Sequence, residues 1–183
     1  WGGNGSLPNV ANSKFGEEKM NNTPHKFLIN GDEVESYFSP SDGTTQMIIE
    51  TILSANETVD FSTLVFTRGD IADAVIQMNN DFFVTARGII EQINTTGSEY
   101  QYLLDNDVNV LSYADLPGQL HHKLAIIDHD SPDNDPIVLT GSHNWSSSAE
   151  TTNDENTLII HNADIANLYY QEFSARWNEL TVG

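Results

Sequence analysis

From His25 onward, short apolar runs alternate with segments whose apolar residues recur at helical spacing. That alternation restricts the chain to a layered α/β domain, with a central mixed β-sheet flanked by helices. Strands are expected at His25–Asn30 and Val34–Phe38 around the turn Gly31-Asp32, and then at Val59–Phe66, Phe82–Gln92, Val108–Tyr113, His121–Asp128, Ile137–Trp145 and Thr157–His161. Helical spacing places Met47, Ile48, Ile52 and Leu53 on one helix and Ile71, Ala74, Val75 and Met78 on another, with a short helix at Tyr100–Leu104. A last helix is expected from about Ala163 to Leu180, burying Ile165, Leu168, Tyr169, Phe173, Ala175 and Trp177. No internal repeat is visible.

Ahead of this pattern, residues 1–24 are rich in Gly and Asn and lack an apolar period, so they read as a linker or amino-terminal arm, leaving 25–183 as the domain. The chain opens on Trp1 and is expected to be a piece of a longer protein. Its apolar runs last only a few residues, so no transmembrane segment is expected.

Charge narrows the function classes. With 27 acidic against 7 basic side chains the net charge is −20, and Lys123 is the only lysine after Lys26. Such a surface opposes broad, non-specific binding to a nucleic-acid duplex, which relies on Lys and Arg. It does not oppose chemistry on a single phosphate, which needs only local donors. The absence of Cys removes thiolate metal sites and Cys nucleophiles. With the acidic surface, it favours an extracytoplasmic or secreted setting.

Three stretches carry the chemistry. In Gln119–Asp128 a strand would turn His121 and Lys123 to one face, setting a nucleophile or general acid beside a fixed cation. Asp128, at odd separation from both, would brace rather than react. In Thr140–Ser146 the hydroxyl of Ser142 and the carboxamide of Asn144 share a face and suit phosphate oxygens, while Gly141 admits close backbone approach. In Ala149–Asn156 a carboxylate could hold a histidine in one tautomer, leaving its other nitrogen free to attack. His122 and His143 face away from these groups and read as packing or supporting residues, and Trp145 as a core or wall aromatic. Arg68-Gly69-Asp70 reads as a turn followed by a helix cap.

Together, His121, Lys123 and Asp128, followed by Gly141, Ser142 and Asn144, resemble the phospholipase D superfamily, whose signature is His-x-Lys-x4-Asp followed by Gly-Ser-x-Asn. The chain is most similar to its small single-motif bacterial endonucleases. The likeness extends to Tyr37–Pro40, Phe66-Thr67, Gly97–Tyr100 and Glu172–Trp177, roughly residues 25–180. It implies a phosphodiesterase in which His121 attacks phosphorus to form a phosphohistidine, while Lys123, Ser142 and Asn144 bind the non-bridging oxygens and Glu155 orients His121. It also implies that no metal or cofactor is used.

A second motif histidine is required, and this chain has one motif. The resemblance therefore implies a homodimer with its active site at the two-fold interface. Nucleic acid is the first expected substrate; phospholipids or small phosphodiesters are the alternative, and a non-catalytic domain of a larger surface protein a third reading. The acidic, Pro-bounded loop 129–136 departs from the compact pattern and is expected to be an exposed hairpin loop able to alter access to the site.

Overall fold

The computed structural model of the protein describes residues 10–182; the first nine residues of the expected arm lie outside them. Eight strands form one sheet: β1 (Lys26–Ile29), β2 (Asp32–Ser39), β3 (Thr58–Thr63), β4 (Thr85–Ile90), β5 (Asn109–Ser112), β6 (Lys123–Ile127), β7 (Ile137–Gly141) and β8 (Glu155–His161). Their order is β1-β2-β8-β7-β6-β3-β4-β5. The mixed character has a simple origin. β3, β4 and β5 run parallel because helices α2 (Gly69–Asn79) and α3 (Tyr100–Asp105) cross between them, whereas the connections into β7 and β8 reverse the chain.

α2 and helix α1 (Thr44–Leu53) cover one face. Ile48, Ile52, Ile71 and Val75 bury there against Val59, Phe61, Ala125 and Leu139. Phe61, Phe66 and Trp145 pack ring on ring in this layer, so Trp145 is a core aromatic with no exposed surface. Helix α5 (Ala163–Val182) covers the other face, setting Ala166 and Phe173 on Ile89, Leu124, Ile126 and Val138. β6 is buried along its whole length, as its unbroken Leu-Ala-Ile-Ile run requires of a strand covered on both faces.

Under α5 the sheet buries a charge. Asp60 has no exposed surface; its Oδ1 accepts from Arg87 Nε at 2.8 Å and Nη2 at 2.7 Å, and its Oδ2 lies 3.3 Å from His129 Nε2. The guanidinium in turn stacks over the rings of Phe173 and Trp177. Paired and covered, the carboxylate does not carry the penalty of an isolated buried ion.

Several expectations are corrected. β4 begins at Thr85, leaving Phe82 and Phe83 exposed in the turn before it; β3 stops at Thr63 and β7 at Gly141. α2 starts at Gly69 with Arg68 as its cap residue, and Asp70 pairs with Arg68 instead of capping by its side chain. On α5, Leu168 is 64% exposed and Ala175 is also exposed, because helical spacing puts both on the side turned away from the buried Ala166 and Phe173. The 129–136 loop joins β6 to β7 at the end of the sheet opposite Lys123, so it does not govern access to that residue. Among the described residues no helix is long and apolar enough to cross a membrane.

Candidate active site

The ends of β3, β4, β5 and β7 and the starts of β6 and β8 meet at one edge of the sheet. Open α/β sheets place ligands at the carboxyl ends of their parallel strands. Lys123 is the first residue of β6 and only 5% exposed; His121 precedes the strand and is exposed. The lysine folds back so that Nζ donates to the His121 carbonyl at 3.0 Å and lies 3.1 Å from Nδ1 and 3.5 Å from Nε2 of the imidazole. Burial pushes the ammonium below the ordinary lysine value, and the charge of Glu155 opposes that shift.

His121, Lys123 and Gly141 border a cavity of about 360 Å³, whose other side is Leu168, Tyr169 and Glu172 of α5. His122 also lines it. Its Nδ1 lies 3.2 Å from Ser62 Oγ, and burial pushes its pKa below the ordinary histidine value, with the charge of Glu172 opposing the shift. Nothing local in the sequence marks His122, Leu168 or Tyr169 as site residues. Leu168 and Tyr169 reach the cavity because α5 passes beside it, whereas His122, expected to face away from His121 and Lys123, lines it from the segment just before β6.

Gly141 leaves no room for a side chain: a Cβ there would lie 2.1 Å from the Asn156 carbonyl oxygen. That close approach lets the next residue clasp β8. Ser142 N donates to Asn156 O at 3.0 Å, and Asn156 N donates to Ser142 Oγ at 3.1 Å, leaving the hydroxyl proton free. Past Gly141 the chain leaves the strand, so the alternation expected to align Ser142 with Asn144 does not apply. The Oδ1 of Asn144 is buried without a hydrogen-bond partner.

Ser142, Asn144 and Glu155 do not line the His121–Lys123 cavity. Glu155 borders a neighbouring one of about 320 Å³ with Lys19, Phe38 and Asn156. Its carboxylate accepts from Asn153 Nδ2 at 3.1 Å. Among the described residues no hydrogen bond joins it to His121, and it bears on the pair through its field at Lys123.

Asp128 sits at the far end of β6 at a φ of 51°. Its buried carboxylate accepts from the backbone N–H groups of Asn56, Glu57 and Thr58, tying β6 to the turn that enters β3. His143 is buried with Nε2 3.3 Å from Glu150, whose carboxylate also accepts from Thr45 N and Oγ1. Glu150 is thereby committed to bracing α1.

For metals, one trio among the described residues, Glu33, Glu35 and His161, has ligand atoms within 4.8 Å of one another. It lies at the opposite sheet end, and the Lys26 ammonium already donates to both carboxylates.

Comparison with known proteins agrees with this geometry. The model of the family described as cardiolipin synthase, PLD-like domain, matches residues 48–177. The mitochondrial cardiolipin hydrolase of Mus musculus is 28% identical over 141 residues, which cover 76% of this chain and 60% of that protein. The chain thus spans less than two thirds of that relative's length. Among solved structures, the phospholipase D family member Nuc from Salmonella typhimurium superposes with a TM-score of 0.69 at 25% identity, covering 80% of this chain and 95% of Nuc. NucT from Helicobacter pylori gives 0.67 at 25% identity, with 79% and 94% covered. With the family model matching most of the described fold, including His121 and Lys123, this chain belongs to the phospholipase D superfamily.

Proposed function

We propose that the protein is a phosphodiesterase that cleaves nucleic acid through a phosphohistidine at His121. The observation that carries this reading is the buried Lys123 ammonium held against an exposed imidazole at the border of a cavity. A cation that cannot retreat into water is a preorganised site for a phosphoryl oxygen. When phosphate takes that ammonium, the His121 ring is released to attack. The P–O bond to the leaving group breaks as the N–P bond forms, and the leaving oxygen takes a proton. Water then attacks phosphorus and returns the imidazole. Ser142 and Asn144 supply neutral donors, and Glu155 stabilises the charged histidine once the ring has turned from Lys123.

The proton donor is a second His121, brought by a two-fold-related copy. Leu168, exposed beside the cavity, supplies apolar surface for such pairing. In this reading every group named above lies within the domain expected from the sequence, residues 25–183.

A second substrate, a phospholipid headgroup, is favoured by the apolar Leu124, Leu168 and Tyr169 around the cavity and by the names of the cardiolipin hydrolase relatives. Nicking of supercoiled plasmid in EDTA separates the readings. Cleavage that persists under chelation and vanishes in His121→Ala supports the nuclease. Intact plasmid alongside headgroup release from cardiolipin or phosphatidylcholine vesicles supports the lipase. Inactivity on both overturns the enzymatic reading.

A further inference from the structure

The expected arm does not hang free. Residues Gly16–Glu18 form a single helical turn, after which Lys19 enters the fold with only 5% of its side chain exposed. Its ammonium donates to the Ser39 carbonyl at the end of β2, pairs with Asp154 Oδ1 at 3.1 Å and lies 5.8 Å from the centre of the Phe38 ring. Gly16 N donates to the same Asp154 oxygen at 2.9 Å, and this bond, with the Lys19 charge, holds the Asp154 carboxyl below its ordinary range. A lysine this buried is tolerated only because its charge is matched.

What these bonds hold is the turn that delivers the phosphate-site residues. Ser39 Oγ donates to the Asn153 carbonyl, Asp154 is gripped by the arm, and Glu155 and Asn156 follow at once in register with Ser39 and Phe38. Asn156 then clasps Ser142 through two hydrogen bonds, and Glu155 sets the field at Lys123. An unbroken series of contacts therefore runs from the arm to the phosphate-binding groups.

We infer that residues 14–19 are a strap belonging to the catalytic unit, and that Lys19, acting through Asp154, is a positioning residue for Glu155 and for the Ser142–Asn156 clasp. The role of Lys19 in turnover rests on the phosphodiesterase reading; its grip on the turn does not. A positioning residue acts on geometry at the reacting centre, where an error of about 1 Å can cost about 100-fold in rate.

The test compares Lys19→Met, which keeps the buried stem without the charge, with Lys19→Arg and Asp154→Asn. Two readouts are taken: amide exchange at Asn156 relative to β6, and kcat and KM on bis(4-nitrophenyl) phosphate. The expected result for Lys19→Met is faster exchange at Asn156 by roughly tenfold with β6 unchanged, and kcat lower by roughly 10- to 100-fold with KM within about twofold. Asp154→Asn should behave alike, and Lys19→Arg should recover most of both. Unchanged exchange at Asn156 overturns the inference, as does unchanged kcat in an active enzyme. If the wild-type protein turns over no phosphodiester, the functional reading falls, and the exchange data alone decide whether the strap holds the turn.

Discussion

The ammonium of Lys123 lies 3.1 Å from Nδ1 of His121, buried beneath a histidine that faces solvent. Cation and imidazole are thus neighbours before any substrate arrives. Burial lowers the Lys123 pKa, so the lysine loses its proton at a lower pH than an ordinary lysine. The alkaline limb of kcat/KM should therefore fall at a lower pH than an ordinary lysine would give. Glu155 opposes the shift, so Glu155→Gln should move that limb to still lower pH. A pH–rate profile of both proteins checks the sign, and a limb that moves upward in Glu155→Gln would contradict it.

Asp128 should matter to stability far more than to chemistry. Its carboxylate satisfies three consecutive backbone N–H groups in the turn entering β3. Asp128→Ala strands those donors and should cost about 2–4 kcal/mol, read as a lower urea midpoint. Asp128→Asn keeps an acceptor and tolerates the positive φ, so it should lose less.

At Gly141 the constraint is steric. A methyl group would collide with the Asn156 carbonyl, and β8 would have to move away from the Ser142 clasp. Gly141→Ala is expected to lose at least about 2 kcal/mol and nearly all activity. Denaturant titration and a plasmid assay on the same preparation test both halves.

The Asp60–Arg87 pair gives a prediction remote from the site. Arg87→Met leaves a fully buried carboxylate without its guanidinium and should cost about 3–5 kcal/mol. Adding Asp60→Asn removes the orphaned charge and should restore part of that loss. A double-mutant cycle by chemical denaturation measures the coupling.

Pairing of two copies predicts that Leu168→Asp, placed on exposed surface beside the cavity, lowers the molar mass from dimer to monomer and abolishes cleavage with little change in melting temperature. Light scattering coupled to size exclusion gives the mass. A variant that stays dimeric and active would remove Leu168 from the interface.

Much of this was legible along the chain. Period-2 and period-3.6 patterning located all eight strands and α1, α2, α3 and α5, because each signal is local and tertiary packing only reinforced it. Boundaries slipped where local propensity outran pairing. Phe82 and Phe83 read as strand, yet no neighbouring strand is there to pair with them. Leu168 is apolar, yet helical spacing sets it on the side of α5 turned away from the buried Ala166 and Phe173.

The same division runs through the site. The sequence alone determined that the domain is α/β, that His121 and Lys123 stand together, and that Asp128 lies apart from them. The first follows from the alternation of strand and helix periods, and the other two from separation along the short His121–Asp128 stretch, of which β6 takes only Lys123–Ile127. Only the tertiary structure decided that α5 closes the cavity with Leu168, Tyr169 and Glu172, that Glu155 meets Lys123 without bonding His121, and that Lys19 grips Asp154 across 135 residues of chain. Those contacts join segments distant in sequence, and their geometry comes from how two helical layers and an arm pack on one sheet.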